Sequence, residues 1–146
     1  MAEDTTLFMK RTFAVPRNQV FEAWTNPDMI RQWFAAGPDM VPTIAEVDLR
    51  VGGKYRIGMK NKAKNVEHIA TGIYREIIPN ERVAFTWSWE GSQGEPESFV
   101  IVELIEQGEA TEMRFTHSRF ADKKARDGHN EGWIACFAEL EKALAG

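Results

Sequence analysis

Thr111-Glu112-Met113-Arg114-Phe115-Thr116-His117 decides the fold, together with the segment after it, where Trp133, Phe137, Leu140 and Leu144 stand at spacings of four, three and four. The first stretch alternates polar with apolar residues, the period of a half-buried strand, and puts Met113, Phe115 and His117 on one face. The second spacing is the apolar stripe of an amphipathic helix that can lie along a sheet. Gly128 and Gly132 interrupt this helix one turn apart, where glycine is unfavourable unless the space beside it is used. A long last helix, thinned beside its aromatics and with a histidine below it, predicts a cavity.

The upstream sequence supplies the sheet. Residues 7–15 alternate as a strand, and Pro16 suits the first turn of a helix whose apolar face is Val20, Phe21 and Trp24. Asn26-Pro27 reads as the N-cap and first position of a second helix burying Ile30, Trp33 and Phe34, which Gly37-Pro38 stops. Residues 44–51 lead into the tight turn Gly52-Gly53 and a strand over 54–59. Residues 66–78 form a long strand closed by Pro79-Asn80-Glu81-Arg82. Val83, Phe85, Trp87 and Trp89 share one face of the next strand, and a polar loop with Gly91, Gly94 and Pro96 follows it. Strands over 99–104 and 112–117 pair across Gln107-Gly108. Helices set apart from a run of strands predict an α+β fold with an antiparallel sheet. Such a sheet curls as it twists, and a helix of about 24 residues, roughly 36 Å long, fills its concave side.

At 146 residues, without repeat or linker, residues 1–146 are expected to form one domain. Hydrophobic residues make up 43% and charged residues 27%, an ordinary composition for a soluble protein. A net charge of -4 without a Lys/Arg block gives no reason to expect nucleic acid or anionic membrane as partner. The basic run Lys60-Asn61-Lys62-Ala63-Lys64 reads as a solvated hairpin tip. A single cysteine, Cys136, excludes an internal disulfide and fits a reducing compartment. Met1-Ala2-Glu3-Asp4-Thr5-Thr6 has no signal-peptide character, and no apolar run has the length of a membrane span. The expectation is a cytoplasmic protein, monomeric or homodimeric, with exposed aromatics near Trp89 as a candidate pairing surface.

The order of these elements resembles the SRPBCC (START-like, helix-grip) superfamily, and within it the AHSA-type group related to the C-terminal domain of the activator of a heat-shock-protein ATPase. The resemblance is carried by Phe13-Ala14-Val15-Pro16 with Val20-Phe21-Glu22-Ala23-Trp24, Asn26-Pro27 with Trp33-Phe34, and Asp48 with Gly52-Gly53-Lys54-Tyr55. It continues through Gly72-Ile73-Tyr74-Arg75-Glu76-Ile77-Ile78-Pro79, Val83-Ala84-Phe85-Thr86-Trp87, Thr116-His117 and Gly132-Trp133 with Phe137 and Leu140, nearly the whole chain. It implies the helix-grip fold: a curved antiparallel sheet around a long C-terminal helix, with two short helices after the first strand. It also implies an apolar pocket between helix and sheet. Members range from lipid carriers to cyclases, so function has to be argued from the pocket.

The predicted inward face offers Tyr55, Tyr74, Phe85, Trp87, Trp89, Met113, Phe115, His117, Trp133 and Phe137 as lining, with Trp33 and Phe34 closing one end. Such a lining suits a small hydrophobic or aromatic molecule, and the same residues also suit a plain hydrophobic core. His117 is either a hydrogen-bonded core imidazole or an acid–base group, for which an inward Glu76 or Glu103 would be the partner. Cys136, without a Cys–His signature, reads as a buried inert thiol. Asp127, His129 and Glu131 lack metal-ligand spacing and read as a solvated helix face. Gly52-Gly53 precedes no helix and is not a phosphate loop. No nucleotide fingerprint, hydrolase triad or zinc motif is present, so no cofactor is expected.

Three functions compete. The leading one is a binding module for a small hydrophobic ligand. The second is a cyclase- or hydrolase-type enzyme using His117. The third is a cochaperone stimulating a heat-shock ATPase, although the N-terminal domain of those activators has no counterpart here.

Overall fold

A computed structural model describes residues 5–91 and 97–145. The predicted loop glycine at 94 and proline at 96 lie outside the described residues. The elements run β1 (Leu7–Phe13), α1 (Arg17–Thr25), α2 (Pro27–Trp33), β2 (Met40–Val47), β3 (Lys54–Asn61), β4 (Val66–Ile78), β5 (Arg82–Trp89), β6 (Ser98–Gln107), β7 (Ala110–Ser118) and α3 (Lys123–Ala145). All seven strands form one antiparallel sheet in the order β1-β7-β6-β5-β4-β3-β2. The sheet curls into a half-barrel around α3, the predicted helix-grip arrangement. No helix among the described residues is long and apolar enough to cross a membrane.

Several boundaries differ from the sequence reading for local reasons. β2 begins at Met40 and ends at Val47, not 44–51, because Asp48 to Gly53 turn back on themselves through Arg50 N–H to Asp48 O and Gly53 N–H to Arg50 O. Gly52 takes φ 88 in that turn, a conformation a side chain disfavours. Pro42 is tolerated because β2 is an edge strand, and the register slips beside it. Pro16 is the N-cap of α1 and not part of its first turn, with its carbonyl accepting from Gln19 and Val20. Asn26 caps α2 as expected, its side chain accepting the Asp28 N–H at 2.8 Å. β6 and β7 run longer than predicted and turn through Gly108.

The core lies between the sheet and the C-terminal half of α3. Trp133, Cys136, Phe137 and Leu140 are the buried residues of α3, and Leu144 packs at the edge. They meet Val100, Val102, Leu104, Met113 and Phe115, which alternate inward along β6 and β7. Trp24 fills the centre, with ring centroids 4.9 Å from Trp33, 6.0 Å from Phe115 and 6.0 Å from Phe137. Its indole N–H reaches Met113 Sδ at 3.3 Å, and that of Trp33 reaches Ala23 O at 2.8 Å. Each aromatic pair adds about 0.5–1.5 kcal/mol beyond its burial.

One close approach bends the sheet. At Gly72 a Cβ would stand 1.9 Å from Thr86 O and 2.8 Å from the Tyr55 hydroxyl oxygen. Tyr55 donates its hydroxyl hydrogen to the same Thr86 carbonyl, and Ile73 N–H donates to Thr86 Oγ1 at 2.8 Å. The register between β4 and β5 shifts just beyond, between Tyr74 and Glu76, and such irregularities sharpen strand curvature. Gly72→Ala is therefore expected to cost about 3 kcal/mol or more, as an overpacked site does, read as a lower urea midpoint. Gly128→Ala, whose Cβ would meet nothing within 4 Å, is expected to raise stability by about 0.5–1 kcal/mol through helix propensity.

Candidate functional site

The sheet is wider than the packed part of α3, and beside the N-terminal half of that helix the core gives way to a cavity of about 600 Å³. From α3 the wall is formed by Ala125, Gly128, His129, Gly132, Trp133 and Cys136, a continuous stripe at helical spacing. Trp87, Ser88 and Trp89 of β5 face it, with Ser98 beside them and Phe34 and Ala36 at the end of α2. Met40, Met59 and His68 complete one side, and Arg119, Phe120, Ala121, Asp122 and Lys124 the other. Phe34, Trp87, Ser98 and Trp133 are buried, whereas His68, Arg119, Asp122 and Lys124 are exposed, so the cavity runs from the core to the surface. The nearest contact for a Cβ on Gly132 is Ala36 Cβ at 3.9 Å, and one on Gly128 meets none. Both glycines leave room at the cavity.

Four of the twelve predicted lining residues stand in its wall: Phe34, Trp87, Trp89 and Trp133. The other eight do not. Trp33, Tyr55, Tyr74, Phe85, Met113, Phe115, His117 and Phe137 are buried in the filled part of the core, because α1 and α2 bring Trp24 and Trp33 against that end of the sheet. Trp89 is half-buried against Trp87 and His129 and is not an exposed pairing surface.

His117 sits behind the wall, fully buried and held on both nitrogens. Trp133 Nε1–H donates to Nδ1 at 3.0 Å, so Nδ1 carries the lone pair and the neutral ring has its proton on Nε2. Nε2–H then donates to Ser98 Oγ at 2.7 Å, and Ser98 passes its hydroxyl hydrogen to Trp87 O at 3.2 Å. Burial, with His129 nearby, lowers the His117 pKa well below 6.5. This is the core-imidazole reading. The acid–base alternative lacks its partner as well: Glu76 and Glu103 both pair with Arg82, and β6 alternation turns Glu103 away from the core.

His129 corrects a second expectation. Its ring is half-buried in the cavity wall, not on a solvated face, with Nε2 accepting from Trp89 Nε1–H at 3.0 Å and Nδ1–H donating to Ala125 O at 2.8 Å. Phe120 lies against both histidines, 4.2 Å from the His117 ring and 4.8 Å from that of His129. Asp127 pairs with Arg126, and no His/Cys/Asp/Glu group among the described residues is arranged to hold a metal. Cys136 borders the cavity, but burial pushes its thiol up to about 12, so it stays protonated near neutrality. Gly128, Gly132 and Trp133 of this stripe are the residues the sequence offers beside a cavity, whereas Ala125, His129 and Cys136 join them without a sequence signal, because the first turns of the stripe are small residues.

The buried imidazole makes stability depend on pH. An unfolded His117 takes up its proton at about pH 6.5, whereas the native one resists it to much lower pH. The unfolded state thus binds more protons below that point, and stability falls as pH falls. Urea denaturation between about pH 7.5 and 5 is expected to show a loss approaching 1.4 kcal/mol per pH unit from this group. A His117→Gln variant is expected to show a shallower slope.

The likenesses to known proteins bear on this geometry. The pattern of the family described as "Activator of Hsp90 ATPase homolog 1-like protein" matches residues 14–145. A solved protein from Chromobacterium violaceum superposes with a TM-score of 0.88 at 22% identity, covering 97% of this chain and 98% of that one. One from Rhizobium leguminosarum gives 0.80 at 28% identity, covering 96% and 93%. A protein described as an HSP90 activator, from Plasmodium falciparum, gives 0.75 at 21% identity, covering 97% and 96%. No curated protein matches. At 21–22% identity the likeness shows the fold alone. With the family pattern spanning nearly its whole length over this sheet, grip helix and paired short helices, the chain belongs to the Activator of Hsp90 ATPase homolog 1-like family, within the SRPBCC superfamily.

Proposed function

We propose that this chain binds a small, largely aromatic or hydrophobic molecule in the cavity beside the N-terminal half of α3. The observation that carries the reading is a cavity of about 600 Å³ walled by Phe34, Trp87, Trp89 and Trp133 and widened by two helix glycines. A volume of this size is typical of small-molecule sites, which combine an apolar wall with a few polar groups. Trp24, Trp33, Phe85, Phe115 and Phe137 pack into the filled core, whereas these four rings border open space.

A polar detail sharpens the reading. Trp87 is 3% exposed, and its indole N–H has no hydrogen-bond partner among the described residues. Leaving a buried donor unmade costs about 1–3 kcal/mol. A ligand with an acceptor atom facing Trp87 would recover that cost.

The test is titration with N-phenyl-1-naphthylamine, a neutral aromatic dye, followed by its emission and by quenching of the cavity tryptophans. Saturable one-to-one binding is expected, with a rise in melting temperature. Gly132→Phe places a ring in the cavity and is expected to abolish dye binding without lowering the melting temperature. Unchanged binding by that variant would place the site elsewhere and sink the proposal.

A further inference from the structure

We propose that the cavity selects an uncharged ligand: an aromatic molecule bearing a carbonyl-type oxygen, which accepts the indole N–H of Trp87. This rests on the binding reading above and names the chemical class that the site takes. The state of the tryptophans and the chemistry of the buried wall carry it.

Buried indole N–H groups ordinarily find a partner, and four of the five here do. Trp24 donates to Met113 Sδ, Trp33 to Ala23 O, Trp89 to His129 Nε2 and Trp133 to His117 Nδ1. Trp87 is the exception, and it stands in the cavity wall. The rings packed around it explain why the chain leaves this donor unmade. Phe34, Trp89 and Trp133, with centroids 6.2, 5.4 and 5.1 Å away, have no acceptor atom in their side chains. His117, at 5.6 Å, has one, and Nδ1 already spends it on Trp133. A partner for Trp87 therefore has to come from outside the chain, and the cavity is the open space beside this ring.

The rest of the buried wall sets the charge of that partner. Beside Trp87 its buried members are Phe34, Met59, Ser98, Phe120, Trp133 and Cys136, and none of them is charged. The Cys136 thiol stays protonated near neutrality, and Ser98 Oγ is taken up between His117 Nε2 and Trp87 O. The charged lining residues Arg119, Asp122 and Lys124 are exposed. A carboxylate carried to Trp87 would be buried against one neutral donor. An unpaired buried charge costs far more than one hydrogen bond returns. A ketone, quinone or lactone oxygen is cheaper to bury, and its bond to Trp87 removes a cost already present in the free protein. A ligand with donors alone leaves Trp87 as it is.

The experiment uses three probes on one naphthalene frame, each titrated at pH 7.5 to displace N-phenyl-1-naphthylamine. 2-Acetylnaphthalene has the neutral acceptor, 2-ethylnaphthalene lacks it, and 2-naphthoate carries a charge. The ketone is expected to bind about tenfold more tightly than the hydrocarbon, the worth of one recovered hydrogen bond, although it is the more water-soluble of the two. The naphthoate is expected to bind at least tenfold more weakly than the ketone. Trp87→Phe keeps a ring and deletes the donor, so the ketone-to-hydrocarbon affinity ratio is expected to fall to about twofold or less. Proton–nitrogen NMR reads the same contact without a substitution. The Trp87 indole proton is expected to lie further downfield in the ketone complex than in the hydrocarbon complex. A wild-type ratio of one or less, an unmoved indole proton, or a naphthoate as tight as the ketone overturns this inference while cavity binding stands. The same holds if the dye binds and none of the three displaces it. If the dye itself does not bind, both readings fall.

Discussion

The hydrogen bond from Trp133 of α3 to His117 of β7 sets the division of this molecule into a filled half and a hollow half. It joins the grip helix to the sheet at one atom pair, 3.0 Å apart, between two buried side chains. On one side of the Trp133 ring lie Phe115 and Phe137, at 4.7 and 5.5 Å, and the aromatic packing is continuous. On the other side the helix presents Ala125, Gly128, His129 and Gly132, and the cavity begins. Moving Trp133 would unmake both the core contact and the cavity wall.

The histidines beneath this boundary are structural in the same sense. Each receives an indole N–H on one ring nitrogen and gives its own proton from the other, which fixes a single neutral tautomer. Chains of hydrogen bonds in a low-dielectric interior hold side chains in one arrangement, since any broken member leaves a buried group unsatisfied. The wall built on them is stiff, which suits preorganised binding. An imidazole so occupied is poorly placed for proton transfer.

Much of the architecture was legible from local chemistry. The alternation in β5, β6 and β7, the Asn26 cap, the Gly52 turn and the bounds of β4 follow from residue type and period, and the structure has them all. The residues predicted to face inward are buried, except Trp89, which is half-buried. Which of them border empty space was not legible. Phe85 and Trp87 stand on one strand face two residues apart, yet one meets the Trp24 ring and the other the cavity. His129 illustrates the reverse error, because its stripe partners are glycine and alanine and carry little hydrophobic signal.

By itself, the sequence determined the element order, the antiparallel sheet, the grip helix and the membership of the buried face. These depend on backbone preference and on periods of two and 3.6, which act over a few residues. Only the tertiary structure decided where packing stops, which ring nitrogen of His117 carries its proton, and that His129 stands in the cavity wall. Those outcomes depend on how far α1 and α2 fill the curled sheet, and on contacts such as Trp24 with Phe115 and Met113 that join residues some ninety positions apart. No local period encodes a volume left unfilled between distant elements.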